Sequence, residues 1–247
     1  MARTVIERFY QEHPAATVNQ QAWQRLLAAA LPLFEPNSGG RFIDIGCHNG
    51  DKTVALARHI GAQTAVGVDF AGPALVLAKG KGLQVISIDL NQDAPLPFPT
   101  ASFDCIHSGE VIEHLFSPDL LLQEIARLLK PGGYAVITTP NLASWRNRLA
   151  LALGWQPFGS EVSTETRVGN PRAPQGMLAG HIRLFTPQAL VELAERYGLR
   201  VERLAGWAHG RPTTPITHVF MLADRATQRW MPTLCDGIMM KCRSQTA

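Results

Sequence analysis

Residues 41–50, RFIDIGCHNG, constrain the fold more than any other stretch of this chain. The apolar run ends in an acid, Asp44, and opens into a turn containing Gly46 and Gly50. That is the pattern of a buried strand whose C-terminal end faces a ligand. The glycines allow a sharp turn and the close approach of a ligand where a Cβ would collide. Helical spacing resumes from Lys52 to His59, so the turn is expected at a helix N-terminus with unpaired N–H groups, a pocket of the nucleotide type. A nicotinamide oxidoreductase is one reading of such a pocket. Its fingerprint needs G-x-G-x-x-G, whereas here the spacing is Gly46-x-His48-x-Gly50, with an acid ahead of it that a pyrophosphate would disfavour.

The remaining chain alternates strands with helices. Residues 65–69 (AVGVD), 83–89 (LQVISID), 103–107 (FDCIH) and 134–138 (YAVIT) read as the second to fifth strands, the last following the turn Lys130-Pro131-Gly132-Gly133. Helices are expected over 72–79, 118–129 and 142–153, and ahead of the first strand over 16–34, where Trp23, Leu26, Leu27, Ala30 and Leu31 share a face that Pro32 ends. Thr186-Pro187 starts a helix through Arg196, residues 199–207 form a sixth strand, Ile216 to Trp230 carry a helical face, and residues 237–242 suit a last strand. This is an α/β chain with a mostly parallel sheet covered on both faces.

Four regions are expected: an N-terminal helical cap (1–40), a ligand-binding core (41–153), a loop rich in Gly, Pro, Ser and Thr that covers the substrate (154–182), and a C-terminal part completing the same domain (183–247). With 247 residues, 46% of them hydrophobic, the chain can bury one sizeable core. No run approaches the roughly 18 apolar residues of a membrane span, and MARTVIERFYQEH lacks the apolar centre of a signal peptide, so a cytoplasmic protein without a membrane partner is expected. The formal charge of +3 neither demands nor excludes nucleic acid. Cys47, Cys105, Cys235 and Cys242 lack C-x-x-C spacing and read as reduced core thiols. Nothing in the sequence sets an oligomeric state.

Three consecutive strands end in Asp44, Asp69 and Asp89, the carboxyl edge where open α/β sheets bind ligands. A carboxylate at Asp69 can accept from both ribose hydroxyls, Phe70 offers a face for adenine, and Asp89-Leu90 can receive its amino group and pack on its ring. Asp44 with Gly46 and Gly50, together with VGVDFAGPAL, FDCIHSGEVIEHL and LLKPGGYAVITTPN, resembles the successive motifs of class I S-adenosylmethionine (SAM) methyltransferases. Their first motif is usually D-x-G-x-G-x-G, so His48 replaces the middle glycine; His is among the residues that tolerate positive φ. GHIRLFTPQALVELAERYGL resembles the subset associated with small-molecule, sugar or quinone O-methylation.

The resemblance implies a Rossmann-like, seven-stranded sheet in the order 3-2-1-4-5-7-6 with the last strand antiparallel, and SAM as cofactor. It implies that Asp44, Gly46, Asn49 and Gly50 hold the methionine end, Asp69 and Phe70 the ribose and adenine, and Asp89 and Leu90 the adenine edge. Ser108 and Gly109 would pass beneath the sulfonium.

Glu110, Glu113 and His114 stand at i, i+3 and i+4, one face of a helical turn just after the fourth strand. EVIEH followed later by His181 resembles metal-dependent 2'-O-methyltransferases of RNA 3' ends and, less closely, ubiquinone-pathway O-methyltransferases. By that resemblance Glu110, Glu113, His114 and His181 would hold Mg²⁺ or another divalent cation. Without metal, His114 or His181 is the expected general base. The expected function is methyl transfer to a small-molecule acceptor, most simply at oxygen. The rivals are RNA 3'-end methylation, which the modest charge and lack of a basic arm disfavour, a nicotinamide oxidoreductase, and a SAM-binding module without catalysis. Tyr10 and His13 are candidates to cap the pocket, and Trp145, Arg146 and Arg148 to form a basic acceptor face. His107 reads as a satisfied core residue, and Lys79 and Lys81 as solvated.

Overall fold

In the computed structural model, which describes residues 20–36, 38–92, 95–169, 178–208 and 231–245, the run before the glycine turn is strand β1 (Arg41–Ile45), preceded by helix α1 (Gln20–Ala30). There follow α2 (Asp51–Ile60), β2 (Thr64–Asp69), α3 (Gly72–Gly80), β3 (Gln84–Ser87), β4 (Phe103–Gly109), α4 (Pro118–Leu128), β5 (Leu129–Pro140), α5 (Trp145–Ala152), α6 (Pro187–Arg196), β6 (Leu199–Trp207) and β7 (Gly237–Ser244). One sheet joins the seven strands in the order β3-β2-β1-β4-β5-β7-β6, as the resemblance implies. β7 runs antiparallel to β5 and β6, and the other pairs are parallel.

That Phe42, Ile43 and Ile45 of β1 are all apolar has a direct cause. Successive side chains of a strand face opposite sides, and both sides are covered. Ile43 and Ile45 pack with Leu121, Leu122, Ile125 and Leu128 of α4 and Leu190 and Ala194 of α6. Phe42 faces the other way, against Leu26 and Ala30 of α1, Leu33, and Leu56 and Ile60 of α2. Asp44 shares the Phe42 face, and its carboxylate therefore enters the sheet–helix interface instead of solvent.

Local chemistry sets most helix ends. Ser117, Ser144 and Thr186 each accept a backbone N–H in the first turn of α4, α5 and α6, and Pro187 occupies the start of α6. Gly61 closes α2 at φ 71°. Several boundaries differ from the sequence expectation by a residue or more. The first α-helix ends at Ala30, and Pro32 sits inside the 3₁₀ turn, Leu31–Leu33, that follows it. α5 begins at Trp145, because Ser144 is its cap and Asn141 is drawn away by hydrogen bonds to the Thr233 and Cys235 carbonyls at 2.7 and 2.8 Å. β5 starts before the Pro131-Gly132-Gly133 turn, which is accommodated as a register shift where Leu129 pairs with Phe103 and Tyr134 with Cys105. All four cysteines are free and buried. Among the described residues no helix is long and apolar enough to cross a membrane. Tyr10, His13 and the helical face from Ile216 to Trp230 lie outside the described residues.

Candidate active site

The turn after β1 alternates in handedness: Gly46, His48 and Gly50 have φ of 86°, 48° and 79°. His48 thus adopts the left-handed conformation that a middle glycine would supply. The two glycines take this positive φ without strain, and packing adds a reason that the sequence did not reveal: a Cβ on Gly46 would run into Val111, and one on Gly50 would come within 2.6 Å of Leu83 Cδ1.

Asp69, at the end of β2, accepts the His48 N–H at 2.8 Å through Oδ2 and the Ala71 N–H at 2.9 Å through Oδ1. Asn49 caps the following turn by accepting the Asp51 N–H at 3.2 Å. Lys79 and Lys81 are both exposed, as expected, and Lys81 also donates to the Asn49 carbonyl and pairs with Asp51, both at 2.7 Å. Asp89 and Leu90 lie just beyond the short β3; Asp89 accepts from the Asn91 N–H and the Gln92 amide, and Leu90 packs on the core. Phe70 is half-buried. Ser108 and Gly109 end β4, where the fully buried Ser108 Oγ has no hydrogen-bond partner among the described residues. The cofactor candidates therefore collect along the carboxyl edge of β3, β2, β1 and β4, four adjacent parallel strands.

Asp44 differs from the other strand-end acids. Its carboxylate is fully buried, accepting from Thr53 Oγ1 at 2.6 Å and facing His107 Nδ1 at 2.7 Å. An ionised carboxylate only accepts, so the proton lies on His107 Nδ1. Burial pushes the Asp44 carboxyl up, but His107, the Lys52 charge and Thr53 outweigh it and hold the group below its ordinary value. His107 is thus the satisfied interior residue expected, and Asp44 is what satisfies it.

The EVIEH segment is not one helical face. Glu110 leaves β4 at φ 59°, and only Ile112–His114 form a 3₁₀ turn. Glu110 Oε1 accepts from Thr138 Oγ1 at 2.9 Å, and Glu113 Oε2 from Thr139 Oγ1 at 3.0 Å. Burial raises both above the usual carboxylate range, with repulsion from Glu113 adding to the shift of Glu110. Glu113 Oε1 is buried without a hydrogen-bond partner among the described residues. It stands 3.9 Å from His114 Nε2, too far for a hydrogen bond.

His114 Nδ1 lies 3.0 Å from the Gly180 carbonyl and His181 Nδ1 2.8 Å from that of Gly159. A carbonyl only accepts, so both protons sit on Nδ1 and both Nε2 atoms keep a lone pair. Burial lowers both imidazoles, with His181 pushed down to about 4 with the help of His114, so they are neutral at pH 7. One ligand atom from each of Glu113, His114 and His181 lies within 4.8 Å of the others. Glu110, expected as a fourth ligand, is not in this group: the left-handed step after β4 breaks the helical spacing that would have aligned it.

Residues 15–204 match the family model of a methyltransferase domain. The chain belongs to this family. It is a class I SAM-dependent methyltransferase, so the nicotinamide reading falls. A ubiquinone biosynthesis O-methyltransferase of Paracidovorax citrulli is 35% identical over 135 residues, 51% of this chain and 56% of that protein, so the match spans little more than half of the relative's length. Nocamycin O-methyltransferase of Saccharothrix syringae is 30% identical over 205 residues, 72% of this chain and 70% of that protein. A SAM-dependent methyltransferase from Mesorhizobium loti shares the fold, with a TM-score of 0.59 at 18% identity over 90% of this chain and 97% of that one.

Two residues of the methyltransferase escaped the sequence reading. Lys52 stands in the first turn of α2, where the helix dipole disfavours a cation. That misfit was a legible signal, and its charge acts on Asp44, Glu110 and Glu113. Glu161 lies in the loop after α5, and its side chain is largely buried, which no local pattern announces.

Proposed function

We propose that this methyltransferase moves the methyl group of SAM to an oxygen of a small-molecule acceptor bound between the end of β4 and the Glu113–His114–His181 cluster. The convergence of one carboxylate oxygen and two imidazole lone pairs just beyond the end of β4 carries the reading. The relatives named as O-methyltransferases support it.

The strand-end residues fit SAM. Asp69 uses one lone pair of each oxygen within the protein and keeps another on each for the ribose hydroxyls. Phe70, Asp89 and Leu90 would border the adenine, and the turn of Gly46, Asn49 and Gly50, with Lys52, the methionine end. Ser108, whose buried hydroxyl has no partner among the described residues, would lie with Gly109 beneath the sulfur. Asp44 would act from below, tying β1 to β4 and α2 through His107 and Thr53. When bound, SAM supplies a methyl group already activated on sulfur. The protein then has to align the acceptor oxygen in line with it, exclude water and remove the hydroxyl proton. Where no metal ion is held, His114 Nε2 is the proton acceptor, its ring fixed by the Gly180 carbonyl.

The cluster also fits a divalent cation. Two neutral imidazoles and one carboxylate are a donor set that suits a transition ion better than Mg²⁺, which prefers oxygen ligands alone. Such an ion would make a bound hydroxyl more acidic.

The first test is binding. Asp69→Ala is expected to weaken SAM affinity about 10- to 150-fold, the roughly 1.5 to 3 kcal/mol of hydrogen bonds to a charged group. Unchanged affinity by calorimetry in a folded variant would contradict the assignment. The second is turnover with methyl-labelled SAM and a panel of phenols, catechols, aliphatic diols and amines. Label on oxygen is expected; label found only on carbon or nitrogen would overturn the oxygen reading.

A further inference from the structure

Both histidines owe their orientation to one short segment of the loop after α5. Gly159 accepts the His181 Nδ1 proton at 2.8 Å. Two residues on, Glu161 accepts the N–H of Ala179 at 2.6 Å through one carboxylate oxygen and that of Gly180 at 2.7 Å through the other. The Gly180 carbonyl then takes the His114 Nδ1 proton at 3.0 Å. The side chain of Glu161 is only 8% exposed, and Arg167 Nε, 3.7 Å away, balances its charge. Charge-assisted hydrogen bonds from two successive amides hold the chain entering Gly180 against Glu161. Gly180 has a φ of 77°, and glycine, free to leave that conformation, needs its flanks held if its carbonyl is to keep one direction. On the far side the chain is held where Ile182 and Arg183 donate to the Glu113 carbonyl at 2.8 and 3.2 Å. The Gly180 carbonyl that meets His114 therefore lies between two anchors, and Glu161 is the one on its N-terminal side.

We propose that Glu161 is a positioning residue that locks His114 in its Nδ1–H tautomer by holding the Ala179 and Gly180 N–H groups and so the direction of the Gly180 carbonyl, which leaves the Nε2 lone pairs of His114 and His181 open to the acceptor. Its link to turnover rests on the reading of those histidines as acceptor-site groups; the tautomer itself does not. A neutral imidazole can carry its proton on either nitrogen, and the hydrogen bond made by one selects the state of the other. With the carbonyl held at 3.0 Å the Nδ1–H form is selected; with the peptide released, the preference goes.

The test uses full-length protein labelled with ¹⁵N at histidine, observed by long-range ¹H–¹⁵N correlation at pH 8. In the wild type His114 and His181 are both expected as Nδ1–H tautomers. Glu161→Ala is expected to convert His114 to a mixture of the two forms, leave His181 unchanged, keep SAM affinity within twofold, and lower kcat at least tenfold. Glu161→Gln keeps the volume but can accept only through one oxygen, and is expected to fall between the two; it carries the test if the alanine variant does not fold. Glu161→Asp, with the carboxylate restored on a shorter stem, should recover part of the Nδ1–H population. A His114 that stays fully Nδ1–H in Glu161→Ala or Glu161→Gln overturns the proposal whatever the turnover. A tautomer that shifts without any loss of kcat leaves the clamp standing and sinks the acceptor-site reading of His114.

Discussion

Asp44→Ala is expected to destabilise the fold by roughly 3 to 5 kcal/mol, the cost of breaking a buried pair by removing one partner. Its carboxylate is fully buried and serves two groups that have no water to turn to, Thr53 Oγ1 and His107 Nδ1. For a domain of this size the loss corresponds to a fall in Tm of about 6 to 20 °C. Asp44→Asn should cost less, because an amide keeps the shape and one acceptor, and it remains measurable if the alanine variant does not fold. Thr53→Val and Asp44→Asn should be non-additive in a double-mutant cycle, since they share one hydrogen bond. The pH dependence follows from the direction of the shift. Burial alone raises the carboxyl, but His107, Lys52 and Thr53 leave it below its ordinary value of 3.8. Its contribution is therefore present above that value and is lost as pH falls through the lower, folded value, so wild type and Asp44→Asn should converge in strong acid. If Asp44→Ala melts with the wild type and only SAM affinity falls, the residue touches the ligand's ammonium end, as the motif suggested, and the interior role assigned here is wrong.

That contrast shows what the sequence made legible. The strands and helices could be read because their determinants are local and repetitive: apolar runs of strand length alternating with helical spacing, as for β6 over residues 199–207. The order of the strands in the sheet has no such local signal and came from the resemblance to class I methyltransferases. The site was legible as a set of strand ends but not as a set of contacts. His107 is 63 residues from Asp44 in sequence, and Glu161 is 19 from Gly180. No periodicity encodes such pairs. EVIEH misled for a different reason: spacing of i, i+3 and i+4 converges only on a continuous helix, and the positive φ at Glu110 interrupts it. The same step sends Glu110 to Thr138, on the neighbouring strand β5, and leaves Glu113 with the histidines.

Removal of divalent ions is expected to abolish turnover while leaving SAM affinity unchanged. Glu113 Oε1 is buried without a partner among the described residues, and His114 Nε2 lies 3.9 Å from it. One ligand atom from each of Glu113, His114 and His181 lies within 4.8 Å of the others, and polar atoms buried together without hydrogen-bond partners are relieved by a cation. EDTA treatment followed by buffer exchange should therefore lower kcat at least a hundredfold. Mn²⁺, Zn²⁺ or Co²⁺ should restore activity better than Mg²⁺, because two of the three donors are imidazoles. Glu110 offers a control. It lies outside the ligand group, so Glu110→Gln should retain metal binding by calorimetry, whereas Glu113→Gln and His181→Ala should lose it. Metal should also bind more weakly as pH falls, first because the Glu113 carboxyl, pushed up to about 7 by burial, must lose its proton to act as a ligand, and then because both imidazoles must stay neutral. Should metal-free enzyme turn over at full rate while His114→Ala is inactive, the cation has no part in the reaction. His114 then acts as the base, through the same Nε2 lone pair that the Gly180 carbonyl leaves open.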